Sequence, residues 1–452
     1  MMETIPMRES RWTIMVCICV LAMFGFCAAA DEGSSLFLLS SNGCGRATAY
    51  AATNKIITGG SKTHASWLDS EGGRFWVRIR TYDHTTKLWS PTYTIGEAYD
   101  NHGGPALTLD PDGYLHAVWY PHHHPFRYSR SAHPHDASQW TKEIEFGNRC
   151  TYPAMVCAND GTIFLVCRES SDEQWTLSFY SKRPGHKWEG PASILQGRSP
   201  GGYVRWQASL ALGEKGETLH MGFQVLEDDL GDHGYAIGYL QSRDKGKSWQ
   251  KYDGQNVALP ASAGTVDLIE YEKAGRDTLN LRAGSIAVDD EGVPWIMFSH
   301  IENQPFSAFL AFPGGNGSWK KISLLPHIQK HLPGRGVQTP GSIVFDRKGT
   351  MYVSATTIDA SRTGKVAFWG DPTNEVVLLV SEDKGKTIRV ISVSPPDLSI
   401  PNWLPNIERP TTIDPIRIPL LMYTHGHKGS SPKQMLSNDV FIFSSSGSLN
   451  SN

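Results

Sequence analysis

The sequence predicts an all-β fold, a seven-bladed β-propeller of four-stranded blades. Three observations lead there. The chain carries 14 Trp and 44 Gly among 452 residues, a composition of strands and tight turns rather than of helices. Seven segments share one grammar, in which an apolar or alternating run meets a Gly- and Asp-rich turn and then a second run. A second marker, ending mostly in Trp, trails most of these hairpins at a near-constant spacing.

The hairpins read, in order, NKIITGGSKTHASWLD, ALTLDPDGYLHAVWY, AMVCANDGTIFLVCR, ASLALGEKGETLHMGFQ, GSIAVDDEGVPWIMFSH, GSIVFDRKGTMYVSATT and TTIDPIRIPLLMYTHGH. In six a glycine stands in the turn, where tight hairpins require positive φ. The seventh has none. The trailing marker is clearest in SRDKGKSW, Ser242 to Trp249, which matches the Asp-box pattern S-x-D-x-G-x-x-W, a turn clipped by its own aspartate and plugged by Trp. Degenerate relatives end at Trp89, Trp140, Trp188, Trp319 and, in SEDKGKTI, at Ile388. The spacing from turn glycine to terminal Trp is identical for Gly113 to Trp140, Gly161 to Trp188 and Gly292 to Trp319. A unit repeated in this way buries its faces against its neighbours. A β-sandwich or a two-domain split would not generate the seven-fold pattern. The stretches from Asp228 to Gly234 and from Val257 to Asp277 read as long loops on the disc.

Residues 1–30 read as a secretory signal peptide. Arg8 and Arg11 precede TIMVCICVLAMFGFCAAA, and small residues stand before Asp31. A retained anchor helix is the alternative, since the apolar run could nearly span a bilayer. Lipoprotein cleavage at Cys27 is disfavoured by bulky Phe24 and Phe26. The expected organisation is a leader over 1–30, a propeller over 31–445 and a flexible tail over 446–452. The expected product is a secreted or periplasmic monomer with no membrane association once the leader is cut. A net charge of -3 gives no basis for a nucleic-acid partner. Cys44, Cys150, Cys157 and Cys167 follow the leader, in a spacing that names no disulfide pairing and no closed zinc set. A structural Ca2+ or Zn2+ stays open, with no ligands identifiable, and no metal site is assigned.

In a propeller, residues just before each first strand and just after each second strand emerge on one face around a funnel, where sites are built. His102, Tyr152, Arg205 and Arg282 stand before first strands; His122, Arg168 and His300 stand after second strands. His102 and His122 therefore meet at one hairpin's open end, and Tyr152 and Arg168 at the next. Singly, each has a plain structural reading: a solvated loop for HHHP, a packing role for Tyr152 before Pro153, an ion pair from Arg168 to Glu169 or Asp172. Jointly they compose a rim of imidazole, phenol and guanidinium without a carboxylate pair. A conventional glycosidase wants two carboxylates. A lyase acting on a uronic acid instead needs a cation to neutralise the sugar carboxylate, and groups to remove the C5 proton and protonate the leaving oxygen. Arg grips carboxylates bidentately, while His and Tyr exchange protons.

At NHGGPALTLDPDGYLH, HHHPFRYSRS and TYPAMVCANDGTIFLVCR the chain resembles the BNR-repeat propeller proteins, and within them the secreted ulvan lyases. The spacings within the His102/His122 and Tyr152/Arg168 pairs match those lyases. The resemblance implies that His102 and Tyr152 supply acid/base chemistry, that Arg168 neutralises the uronate and that His122 assists. It leaves open which of His102 and Tyr152 is the base. The expected substrate is an anionic polysaccharide, met on the rim by His123, Arg205, Arg282 and His300. The run HHH leaves open whether His122, His123 or His124 points inward, and the cysteines show no equivalent of the metal site of some of those lyases. A rhamnosidase-like hydrolase and a carbohydrate-binding propeller are the alternatives. A sialidase would want an arginine triad and an early Arg-Ile-Pro, whereas the one here, Arg417 to Pro419, falls in the last repeat, where a strand is expected.

Overall fold

Seven four-stranded units follow one another along the chain of this computed structural model. It describes residues 34–197, 203–213, 216–227, 234–273, 281–300, 306–362, 370–395, 399–411, 417–446 and 449. The expected signal peptide lies outside them. Blade 1 comprises Ile56–Gly59, Lys62–Glu71, Arg74–Asp83 and Tyr93–Ala98. Blade 2 comprises Ala106–Leu109, Leu115–Trp119, His124–His133 and the first half of Ile144–Cys157. The second half of that long strand opens blade 3, followed by Ile163–Glu169, Thr176–Lys182 and Glu189–Gln196. Blades 4, 5 and 6 open with Val204–Leu212, Leu281–Val288 and Arg335–Phe345. Blade 7 holds Asn402–Ile407, Leu421–His425 and Asn438–Ser444, and its fourth strand is Ser35–Gly43, from the other end of the chain.

Three of the hairpin turns share one device. At Asp110 the carboxylate accepts the Tyr114 N–H at 2.8 Å, and Gly113 takes φ 85°, a conformation that only glycine adopts without strain. Asp289 and Asp346 repeat the clip on Val293 and Thr350. Their second oxygens reach the next strand, at His116, Trp295 and Tyr352 respectively. The trailing turns are equally regular. Asp244 accepts the Ser248 N–H at 2.8 Å, Ser242 Oγ accepts the Gly246 N–H at 2.8 Å, and Trp249 is fully buried. Trp249 packs across the blade boundary on Phe179, ring centroids 5.7 Å apart. Such cross-blade aromatic packing makes each unit dependent on the next.

Side chains also stitch the blades together. Asn54 Nδ2 donates to Met155 O, Ala283 N–H to Gln224 Oε1, Ile343 N–H to Ser285 Oγ, and Asn406 Nδ2 to the carbonyls of Tyr50 and Thr53. These bonds satisfy polar groups that burial would otherwise penalise.

Several expectations need correction. The first strand of blade 7 is Asn402–Ile407, upstream of the segment starting at Thr411, because no turn glycine marked the hairpin. Arg417 and Ile418 lie in a bend before Leu421–His425, not in a strand. The loop expected from Val257 to Asp277 contains a strand, Asp267–Lys273, paired with Gly234–Ser242. Within 446–452, Leu449 is buried and its N–H donates to Ser35 Oγ, so that residue is tied to the closing strand. The four described cysteines are free thiols, all buried.

Candidate functional site

The site begins with a turn. Asp100 Oδ1 accepts the backbone N–H of His102 at 2.8 Å, and Gly103 N–H donates to Asp100 O, which folds residues 100–103 tightly. Beyond the paired strands, Tyr99 N–H to Tyr120 O and Tyr120 N–H to Gly103 O keep the hairpin's two ends together. His102 and His122 consequently stack, ring centroids 4.0 Å apart and 21° between planes. One carboxylate orients both: Asp100 Oδ1 lies 3.1 Å from His102 Nδ1, and Oδ2 lies 3.1 Å from His122 Nδ1. A carboxylate accepts, so each Nδ1 carries the proton and each Nε2 a lone pair. Burial alone would raise the Asp100 carboxyl. The bonds from both imidazoles outweigh it and hold it well below the usual range. Burial pushes His102 down to about 4, against the pull of Asp100.

Tyr152 stands where Ile144–Cys157 crosses from blade 2 to blade 3. Register runs Thr151↔Arg168 and then Ala154↔Val166, so Tyr152 and Pro153 form an irregularity in the ladder. Tyr152 has φ 61°, an uncommon conformation for a tyrosine and a mark of local strain. Its ring meets Tyr50 edge-on at 4.7 Å, and the two phenols are hydrogen-bonded. Arg46 in turn donates to Tyr50 Oη. The Arg168 guanidinium sits 4.7 Å from the Tyr152 ring centroid and 5.0 Å from that of Trp175. Its residue is 1% exposed. Its polar partners are His123 Nε2 at 3.3 Å and Tyr203 Oη at 3.5 Å. Asp172 instead pairs with Arg149, and Glu169 accepts from Tyr180. Among the described residues Arg168 has no carboxylate partner.

The histidine run divides three ways. His122 takes Asp100; His123 bonds Ser170 Oγ at 2.7 Å and accepts from Arg168; His124 Nδ1 meets the His122 carbonyl and its ring lies against Tyr99. A positive φ at His123, 62°, turns the chain so that consecutive side chains reach different neighbours. Burial first, then the charge of Arg168, pushes His123 down to about 4. Asp100, His102 and His122 are also the one described group whose donor atoms cluster within 4.8 Å as a metal set would, with both Nδ1 atoms already engaged by Asp100.

His102, His122, Tyr152, Arg168 and His123 are thus brought together. Arg282 and His300 occupy the open end of blade 5's first hairpin, in register with Ser299 and Leu281, but are not members of this cluster. Arg205 lies in Val204–Leu212, and its side chain falls outside what the structure describes. Sequence reasoning missed Asp100, Arg46, Tyr50, Trp175 and Tyr203. Asp100, two residues before His102, had a signal in the Asx-turn spacing D-x-H; Arg46 and Tyr50 precede the first repeat and had none.

Fold and site together define a propeller whose open-hairpin face gathers imidazole, phenol and buried guanidinium. Residues 62–325 match the model of the BNR repeat-containing family, and the chain belongs to that family. It is 23% identical over 281 residues to an ulvan lyase of Alteromonas sp. (strain LOR), covering 52% of this chain and 56% of that protein. An ulvan lyase of family PL25 from Pseudoalteromonas sp. (strain PLSV) is 22% identical over 281 residues, 52% of this chain and 55% of that one. The chain spans about half the length of these curated relatives. A solved PL25 ulvan lyase superposes with a TM-score of 0.69 at 15% identity, covering 92% of this chain and 97% of that one. Its complex with -[GlcA(1-4)Rha3S]- gives 0.68, with the same identity and coverage. These superpositions establish the shared propeller.

Proposed function

We propose that the protein is a secreted polysaccharide lyase that cleaves a uronic-acid-containing, sulfated polysaccharide of the ulvan type by β-elimination. The observation that carries this reading is Arg168, a buried guanidinium with no carboxylate partner among the described residues, set beside a phenol and two oriented imidazoles. A buried cation without a counter-charge is costly, and a uronate carboxylate would supply one through bidentate bonds. Neutralising that carboxylate acidifies the C5 proton.

His102 suits the base. Asp100 fixes its tautomer, and burial keeps the ring neutral down to about pH 4, so Nε2 can accept a proton throughout the neutral range. Removing the proton breaks C5–H; its electron pair forms the C4–C5 double bond as the C4–O4 bond breaks. Tyr152 suits the acid that protonates O4, with Tyr50 and Arg46 behind it to stabilise the phenolate left; solvent then takes the proton gained by His102 and returns one to Tyr152. His122 steadies Asp100 and the stacked ring. Hydrolysis by two carboxylates finds no support here, because Asp100, the cluster's one carboxylate among the described residues, is occupied by both imidazoles. The Asp-box reading of the Ser242–Trp249 turn belongs with a structural role at the blade edge.

The test is ultraviolet absorbance from 4,5-unsaturated uronate when the protein meets a panel of uronate polysaccharides including ulvan. A rise abolished in Tyr152→Phe and His102→Ala supports elimination. New reducing ends without absorbance would sink it in favour of hydrolysis, and polymer binding without either product would make the protein a binding module.

A further inference from the structure

We infer that the axial channel binds a small inorganic anion such as chloride at Arg409, at the end opposite the histidine cluster. The channel there is a cavity of about 450 Å³. Asn54, Thr108, Val156, Leu210, Ile286 and Ile343 line it, one from each of blades 1 to 6, and Arg409 of blade 7 completes the ring. The hairpin-turn residues Gly213 and Gly216 border it, which fixes this as the turn face.

Arg409 follows Asn402–Ile407 and forms a parallel bridge with Ile57, so its backbone is locked where blade 7 meets blade 1. The residue is 4% exposed. Its guanidinium donates to Ile286 O at 3.3 Å, to Ser342 Oγ at 3.2 Å and to Ala51 O. All three acceptors are neutral. The Nε atom has no acceptor, and no carboxylate pairs with the group among the described residues. Burial alone pulls this guanidinium down to about 9, a measure of how poorly its charge is compensated.

The acids at the cavity mouth are committed elsewhere. Asp289 and Asp290 both bind Lys384, at 3.0 and 3.1 Å, and Asp346 accepts from Lys348 N, Thr350 N and Tyr352 Oη. Arg347 adds a second cation at that mouth. The cavity therefore offers a poorly compensated positive charge and room for an ion with several waters, each needing roughly 30 Å³. A buried charge in proteins is normally paired, and a mobile anion supplies the missing partner without a fixed carboxylate.

The direct test is diffraction at the bromine edge from wild-type crystals soaked in bromide. An anomalous peak within hydrogen-bonding distance of the Arg409 guanidinium is expected. Its absence from the axial cavity overturns the inference. In solution, replacing gluconate by bromide at constant ionic strength should raise the unfolding midpoint saturably by roughly 2 °C. The rise should vanish in Arg409→Gln; an equal rise in both proteins would also overturn it. Should that variant fail to fold, the crystallographic result decides alone.

Discussion

The guanidinium of Arg168 lies 4.7 Å from the ring centroid of Tyr152, across an irregularity that interrupts their two strands. The phenol proposed to transfer a proton and the cation proposed to bind a carboxylate are therefore one unit, held by a single hairpin end. Replacing Arg168 by Lys keeps the charge but loses the fork. Turnover of a uronate polymer should fall about 100-fold or more, since oriented electrostatic donors commonly contribute that much. The defect should shrink on a methyl-esterified polymer, whose carboxyl is already neutral. An equal loss on both substrates would contradict the assigned role.

Asp100→Asn should be nearly as damaging as removing a histidine. An amide can accept from one imidazole but would oppose the other with its N–H₂, so one tautomer is lost. A fall in kcat of roughly 10² to 10⁴ is expected, with KM little changed. Circular dichroism should show an intact fold. A merely structural Asp100 would instead lower the melting temperature and spare kcat.

Tyr50→Phe removes the hydroxyl that links Arg46 to Tyr152. The rate should fall about tenfold, and the alkaline limb of the pH–rate profile should move, because the phenolate of Tyr152 loses its nearest donor. An unmoved limb would assign Tyr50 to packing alone.

Acid should act on both rate and stability. With His102 at about 4, the acid limb of kcat/KM should fall nearer pH 4 than 6.5, since the neutral ring is the active form. For stability, burial lowers His64 to about 3 and His102, His123 and His220 to about 4. Between pH 6.5 and 4 the unfolded chain takes up protons that the fold refuses, so their contribution is full above 6.5 and shrinks as pH falls. Asp69, raised to about 6 by burial, and Asp267, also raised, act oppositely, but they are two groups against five, since burial lowers His116 as well. Thermal midpoints from pH 7 to 4.5 should decline; a flat profile would refute this balance.

Trp249→Ala should cost about 3–5 kcal/mol, as expected for a fully buried indole at a blade boundary. Activity per folded molecule should survive, because Trp249 belongs to the packing between blades 3 and 4 and not to the site. Denaturant titration with a parallel activity assay separates the two.

The blades were legible because a tight hairpin leaves a local trace, a glycine at positive φ beside a clipping aspartate. Where that trace is missing, as between Ile407 and Leu421, the strand was misplaced. The meeting of His102 with His122 followed from hairpin geometry. The D-x-H spacing marks Asp100 as a turn former beside His102, but not as the carboxylate that also reaches His122, which only the closed hairpin end decides. Arg46 and Tyr50 enter from a segment outside the repeat, and only the closed ring brings that segment to Tyr152. The HHH run was undecidable for a local reason, the backbone reversal at His123.

Blade 7 is completed by Ser35–Gly43, which pairs with Asn438–Ser444. On a ribosome the partner of that strand emerges only after all the other blades have been made. Until then Ser35–Gly43 has an unsatisfied hydrogen-bonding edge, and Arg46 and Tyr50, just behind it, wait for their places. Cotranslational folding can pack the middle blades in order, but it cannot shut the ring. Ser35–Gly43 must stay uncommitted, guarded from other edges, until Asn438–Ser444 arrives.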